Sequence, residues 1–245
     1  MTSLRSTWLT LGLWLGFGIL ITWAMAATLA DGQNNVGGIN VHGEFHPVFI
    51  TGSAQLYYIF AMVLGALAVT GEYASNTMRT TIVSQTSRRR AFTSKIAAVT
   101  IIMGIATAVI IAVLVMVTLL VGGLSWNGGD GNLRALLLFW LAGVLTALMI
   151  TGAGYILRST AGSIVTGVMV LFVSEMLRLV PVSFFRETLP KFLPSGVTSG
   201  MTASDTANPT QTTNYLSPGA AALVWLAYVS VFIVLGAIRY KRSDA

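Results

Sequence analysis

The stretch from Ile96 to Val121 runs for 26 residues without a charged side chain. As a helix it would reach roughly 39 Å, more than the roughly 30 Å of hydrocarbon in a bilayer. Five further segments are nearly as apolar: Trp8 to Ala30, Gln55 to Thr70 with its flanks, Leu133 to Leu157, Ala161 to Val180 and Gly219 to Ile238. Only 9% of the 245 residues are charged, where a soluble domain carries roughly 25%. So little polar surface cannot cover one large core in water. The same apolar richness, 55% of the chain, excludes intrinsic disorder. No segment shows repeated ten-residue alternation, which argues against a transmembrane barrel. The expected fold is therefore an all-α integral membrane protein, one domain over 1–245 with six transmembrane helices.

Basic residues orient the array. Arg5, Arg79, Arg88, Arg89, Arg90, Lys95, Arg158, Arg239, Lys241 and Arg242 fall on one side of the six segments, ten of the fourteen cations. Arg134, Arg178, Arg186 and Lys191 fall on the other. The positive-inside rule predicts that both termini are cytoplasmic, and an even number of spans agrees with their sharing a side. Arg5, the following apolar stretch and Ala24-Met25-Ala26 have the layout of a cleaved secretory signal. The stretch is longer than a signal's apolar core, so it is read as the first span.

The polar residues collect between the spans. The first outer loop runs from about Asp31 to Ile50 and contains His42-Gly-Glu-Phe-His46. On an extended strand His42, Glu44 and His46 would share a face, but three adjacent ligands make a poor zinc site, and a solvated loop is expected. The second outer loop is short, Gly122 to Asn132. The third, 181–218, begins with prolines, aromatics and charges up to Pro194, an interfacial or re-entrant piece. It continues from Gly196 to Ser217 as a polar run, expected to form a loop or a short surface helix. On the inner side, 72–90 is the one segment of substance. Met78 and Ile82 stand four apart, so a short helix there could lay an apolar edge on the membrane or a partner. Arg88, Arg89, Arg90 and Lys95 follow as an inner-leaflet anchor, each cation contributing about 1 kcal/mol beside anionic lipid. Glu72 is out of keeping there, because the helix dipole disfavours an acid at a C-terminal end.

Motifs for catalysis are absent. The chain has no GxxxxGK[ST] phosphate cradle, no HExxH zinc motif, no GxSxG elbow and no cysteine. A non-catalytic protein with no metal site follows. Glu175 and Arg178 are the charges nearest to lying within a span, three residues apart in the outer third of the fifth. They form either an intrahelical pair at the outer interface or part of a translocation path. Small residues at four-residue spacing, Gly12 and Gly16, Ala61 and Gly65, Gly143 and Ala147, suit close helix packing.

Several of these segments together resemble a known family. Gly71-Glu72-Tyr73, Thr77-Met-Arg-Thr-Thr81, the Ser87-Arg-Arg cluster and Lys95 resemble the inner loop of type-2 ATP-binding-cassette (ABC) exporter permeases of bacteria. The resemblance continues at Leu157-Arg-Ser-Thr-Ala-Gly162, Leu193-Pro-Ser-Gly196, Leu216-Ser-Pro218 and the basic tail. It implies a multi-pass permease of the bacterial plasma membrane, paired with a second permease subunit and resting on cytoplasmic ABC ATPase subunits. ATP and Mg would bind the ATPase partner, and this chain would hold no cofactor and no nucleic acid. By the same resemblance Glu72, Tyr73, Thr77 and Arg79 would couple to the ATPase, and re-entrant structure would lie between the fifth and sixth spans. The chain departs from the pattern at its start, where only MTSLRST precedes the first span and relatives carry a longer amphipathic stretch. The rival functions are an ATP-independent carrier or channel and a membrane-embedded accessory or immunity protein.

Overall fold

A computed structural model describes residues 2–30, 35–36, 39–40, 43–74, 88–126, 130–177, 182, 184, 188–202 and 215–242. It is almost wholly helical. Helix α1 spans Thr2–Ala30, and a two-residue hairpin follows, β1 Asn35–Val36 pairing antiparallel with β2 Ile39–Asn40. Then come α2 Val48–Thr51, α3 Ala54–Ala74, α4 Arg88–Gly122, α5 Asp130–Leu157, α6 Thr160–Leu177, α7 Leu189–Phe192, α8 Pro194–Thr202 and α9 Pro218–Arg242. Five of these, α1, α3, α4, α5 and α9, are long and apolar enough to cross a bilayer, and α6 carries a shorter apolar stretch over Thr160–Phe172. Proline punctuates the chain as its chemistry demands, since it lacks an N–H and breaks helix interiors. Pro47 precedes α2, Pro190 lies in the first turn of α7, and Pro194 and Pro218 open α8 and α9.

Helix α5 is the hub, the most enclosed of the long helices. It meets α3 where a Cβ on Gly65 would run into the Ala147 carbonyl. It meets α9 where a Cβ on Gly152 would lie 2.7 Å from the Phe232 carbonyl oxygen. The Thr151 hydroxyl reaches both the Ala147 carbonyl oxygen at 2.8 Å and that of Gly65 at 3.1 Å, tying α5 to α3. Trp140 on α5 donates its indole N–H to the Gly104 carbonyl of α4 at 2.8 Å. Two of the three small-residue pairs thus sit at real crossings, Ala61 and Gly65 on α3, Gly143 and Ala147 on α5. Gly12 and Gly16 on α1 face open space.

One end of the bundle is tied together by contacts between residues 43–45 and residues 125–132. Phe45 donates its N–H to Ser125 at 2.9 Å, Ser125 returns one to Gly43 at 3.0 Å, and Asn132 donates its amide to the Phe45 carbonyl. Gly43 and Gly123 supply the positive φ these turns need. Of the HGEFH segment, expected as a solvated loop, His42 lies outside the described residues and Gly43 and Glu44 are exposed, but the remainder is not solvated. Phe45 and His46 are buried while Glu44 is exposed, so Glu44 and His46 do not share a face.

A second expectation fails at α8. The polar run beginning at Gly196 does not start as surface structure: Pro194–Thr202 is a helix buried among α5, α6 and α9. Val197 and Met201, four apart, are fully enclosed. Gly196 packs against the Pro190 carbonyl, and Gly200 lies close to that of Leu216. The Thr198 hydroxyl bonds back to its own helix at 3.0 Å, so the burial strands no hydroxyl. Small size and self-satisfied polarity, rather than hydrophobicity, let this segment enter the bundle.

Candidate functional site

Six helix ends converge on one side of the bundle. The Thr160 hydroxyl, at the start of α6, donates to that of Thr70 near the end of α3 at 2.7 Å. Phe92 on α4, Tyr155 on α5 and Tyr240 on α9 form a ring cluster with centroids 4.9 to 5.9 Å apart. Between α5 and α6, Arg158 adopts φ 53°, the left-handed conformation usual for glycine at a helix C-terminus, and lets the chain turn from one into the other. Exposed Arg89, Arg90, Arg158, Arg239 and Lys241 all belong to this end, so these five of the ten cations that the sequence groups on one side lie at one end of the bundle.

The anchoring cations differ in one respect from their expected setting. The helix containing the third apolar segment begins at Arg88, not near Ile96, and is 35 residues long. At 1.5 Å per residue that is about 52 Å, well beyond a bilayer. Arg88, Arg89 and Arg90 therefore form its first turn, where the dipole disfavours cations. Anionic headgroups at that level would offset the conflict. Lys95 lies five residues further along, half-buried and about 7.5 Å deeper than Arg90 along the helix.

Of the residues assigned to coupling, Glu72 and Tyr73 fall in the last turn of α3, which continues to Ala74. Their side chains, and Thr77 and Arg79 altogether, lie outside the described residues. Glu175 belongs to the last turn of α6, while its side chain and Arg178 likewise lie outside them.

Beside this inner end, α1, α3 and α4 enclose a slot of about 230 Å³. Leu11, Leu64, Val99, Ile102 and Met103 are among its walls, and among the described residues its polar lining is Thr7 and Lys95. Nothing in the linear pattern marked it, because its walls come from three helices whose facing positions are fixed by packing. A second unforeseen feature lies deeper, where Trp14, Tyr57, Tyr58 and Phe139 stack edge-on and tilted with neighbouring centroids 4.3 to 5.8 Å apart. The Trp14 indole N–H and the Tyr58 hydroxyl are buried there with no hydrogen-bond partner. The cavity at its edge is about 10 Å³, room for one water at most.

At the opposite end His46 accepts the Val48 N–H on Nδ1 at 3.2 Å, capping α2. Burial lowers its pKa, since the charged ring would lose its water. Among the described residues no three His, Asp or Glu side chains gather as a metal site would need.

No curated protein and no solved structure matches the chain. One family model does, that described as a protein of unknown function (DUF2705), over residues 38–245 from the first outer loop to the C-terminus, and the chain belongs to that family.

Proposed function

We propose that this chain is the permease subunit of a bacterial ABC exporter, a plasma-membrane protein with six spans and both termini in the cytoplasm. In this reading α6 is the fifth span and α9 the sixth. Two such subunits form the passage, and ATP with Mg is bound and hydrolysed by separate cytoplasmic ATPase subunits. The segment after α3, carrying Glu72, Tyr73, Thr77 and Arg79, receives the motion of the ATPases and passes it to the helices.

The observation that supports this reading most is α8. A short helix re-enters the bundle between α6 and α9 and packs against both, as the resemblance implies for the segment joining the last two spans. A half-helix held by small residues and its own hydroxyls can shift between packings without exposing backbone to lipid. Glu175 and Arg178, at the outer end of α6, are candidates for the path's outer mouth.

The test is purification of the tagged full-length chain in mild detergent after nucleotide trapping. A Walker-type ATPase is expected to co-elute in stoichiometric amount, and Glu72→Ala or Arg79→Ala should sever that association while the chain still inserts and folds. Retention of no ATPase even after cross-linking, or cargo flux through the reconstituted chain alone, would overturn it.

A further inference from the structure

We infer that the slot between α1, α3 and α4 is a binding site for one anionic phospholipid of the inner leaflet, its acyl chain inside and its phosphate at Lys95. This inference does not depend on the transport reading.

Three helices agree on the polarity of the slot. α1 enters it with Thr7 and goes deeper with Leu11. α3 runs the opposite way, so Leu64 is deep and Ala68 lies nearer the basic end. α4 enters with Lys95 and reaches Ala106, about 16 Å further along. Among the described lining residues the two polar ones therefore stand at the basic end, and every deeper one is apolar. That is the layout of an amphiphile with a negative head and one long tail.

Size narrows the occupant. A volume of about 230 Å³ falls below the roughly 300–1,000 Å³ of pockets that enclose a whole drug-sized ligand. It exceeds the roughly 150 Å³ of an apolar cavity that stays dry and takes up benzene. The slot suits part of a larger molecule, and an acyl chain is the apolar part that the membrane itself supplies. The charge of the head follows from the surroundings. Lys95 lines the slot, and the exposed Arg89 and Arg90 stand one to two turns above it on the same helix. Basic pockets between helices at the cytoplasmic face hold anionic headgroups for this reason.

Delipidated full-length protein would be offered phosphatidylglycerol or phosphatidylcholine with identical acyl chains, and bound lipid counted by native mass spectrometry. One phosphatidylglycerol per chain should be retained, with about fivefold preference over phosphatidylcholine. Lys95→Gln should bring that preference close to parity, and Lys95→Arg should keep it. Ala98→Phe, which narrows the slot without removing a charge, should reduce retention of both lipids. Glycerol phosphate, the head without the tail, should not compete. Equal retention of the two lipids by the unmodified chain would sink the proposal. So would an unchanged preference in a folded Lys95→Gln chain, unaltered binding in Ala98→Phe, or full competition by glycerol phosphate, which would mean a plain anion site. If Lys95→Gln does not fold, the comparison of lipids on the unmodified chain and the Ala98→Phe result decide.

Discussion

Gly65 and Gly152, like Gly196, are positions where one added methyl group meets neighbouring backbone. Each would put a Cβ against the backbone of a neighbouring helix, which cannot move aside as a side chain can. Gly65→Ala is expected to cost about 1–3 kcal/mol through overpacking, read as a lower unfolding midpoint in detergent. Gly12→Ala, facing open space on α1, should leave that midpoint unchanged. Spacing alone presented Gly12 and Gly65 as equals, because a small-residue pair says only that close approach is possible. His46 makes a different prediction. Its folded pKa lies below the ordinary value of about 6.5, so the unfolded chain takes up the proton first. The stability due to neutral His46 is complete above about pH 6.5 and is lost as the pH falls through the lowered folded value. Protonation at Nδ1 also removes the acceptor for the Val48 N–H. Amide protection factors at residues 43–53, corrected for the intrinsic exchange rate at each pH, should therefore fall on acidification below pH 6.5, and His46→Gln should abolish that response.

At the scale of elements, α8 and α4 carry most of what is unusual. The α8 sequence PSGVTSGMT is too short and too polar for any hydropathy threshold, so its burial is visible only once α5, α6 and α9 surround it. Met201 is fully enclosed there, whereas Met169 on α6 is 61% exposed. Met201→Ala is expected to destabilise the bundle by about 2–5 kcal/mol, and Met169→Ala by far less, in the same thermal unfolding measurement. Helix α4 shows the reverse relation between sequence and structure. Its apolar length was plain from composition, but its start was misplaced by two turns, since Arg88 to Lys95 read as headgroup-level residues rather than as helix. Charged residues are compatible with helix wherever solvent or lipid phosphate can reach them, so charge marks the edge of the hydrocarbon and not the end of the element.

For the whole molecule, the gathering of cations at one end predicts its orientation. The chain contains no cysteine, so single-cysteine variants report without background. Ser125→Cys, in the outer loops, should react with a membrane-impermeant maleimide in intact cells, and Lys241→Cys only after permeabilisation. The opposite pattern would reverse the orientation and move the proposed lipid site to the other leaflet.

Helical class and residence in a membrane were already determined by the linear chain. Each is a local property: an apolar run of some twenty residues must satisfy its own backbone in lipid, and only a helix does so within one segment. The boundaries of α3, α5 and α9 were legible to within a few residues for that reason, whereas α1 begins at Thr2, ahead of the apolar run read from Trp8. What the tertiary structure alone decided is who faces whom. It turned Gly65 and Gly152 into contact points and left Gly12 and Gly16 unused. It buried His46 and α8, which composition had assigned to solvent. It also opened a slot at Lys95 that no single helix could have announced. In lipid the apolar faces of a helix are nearly equivalent, so hydropathy cannot choose among them, and the fit of small residues against neighbouring backbone makes the choice.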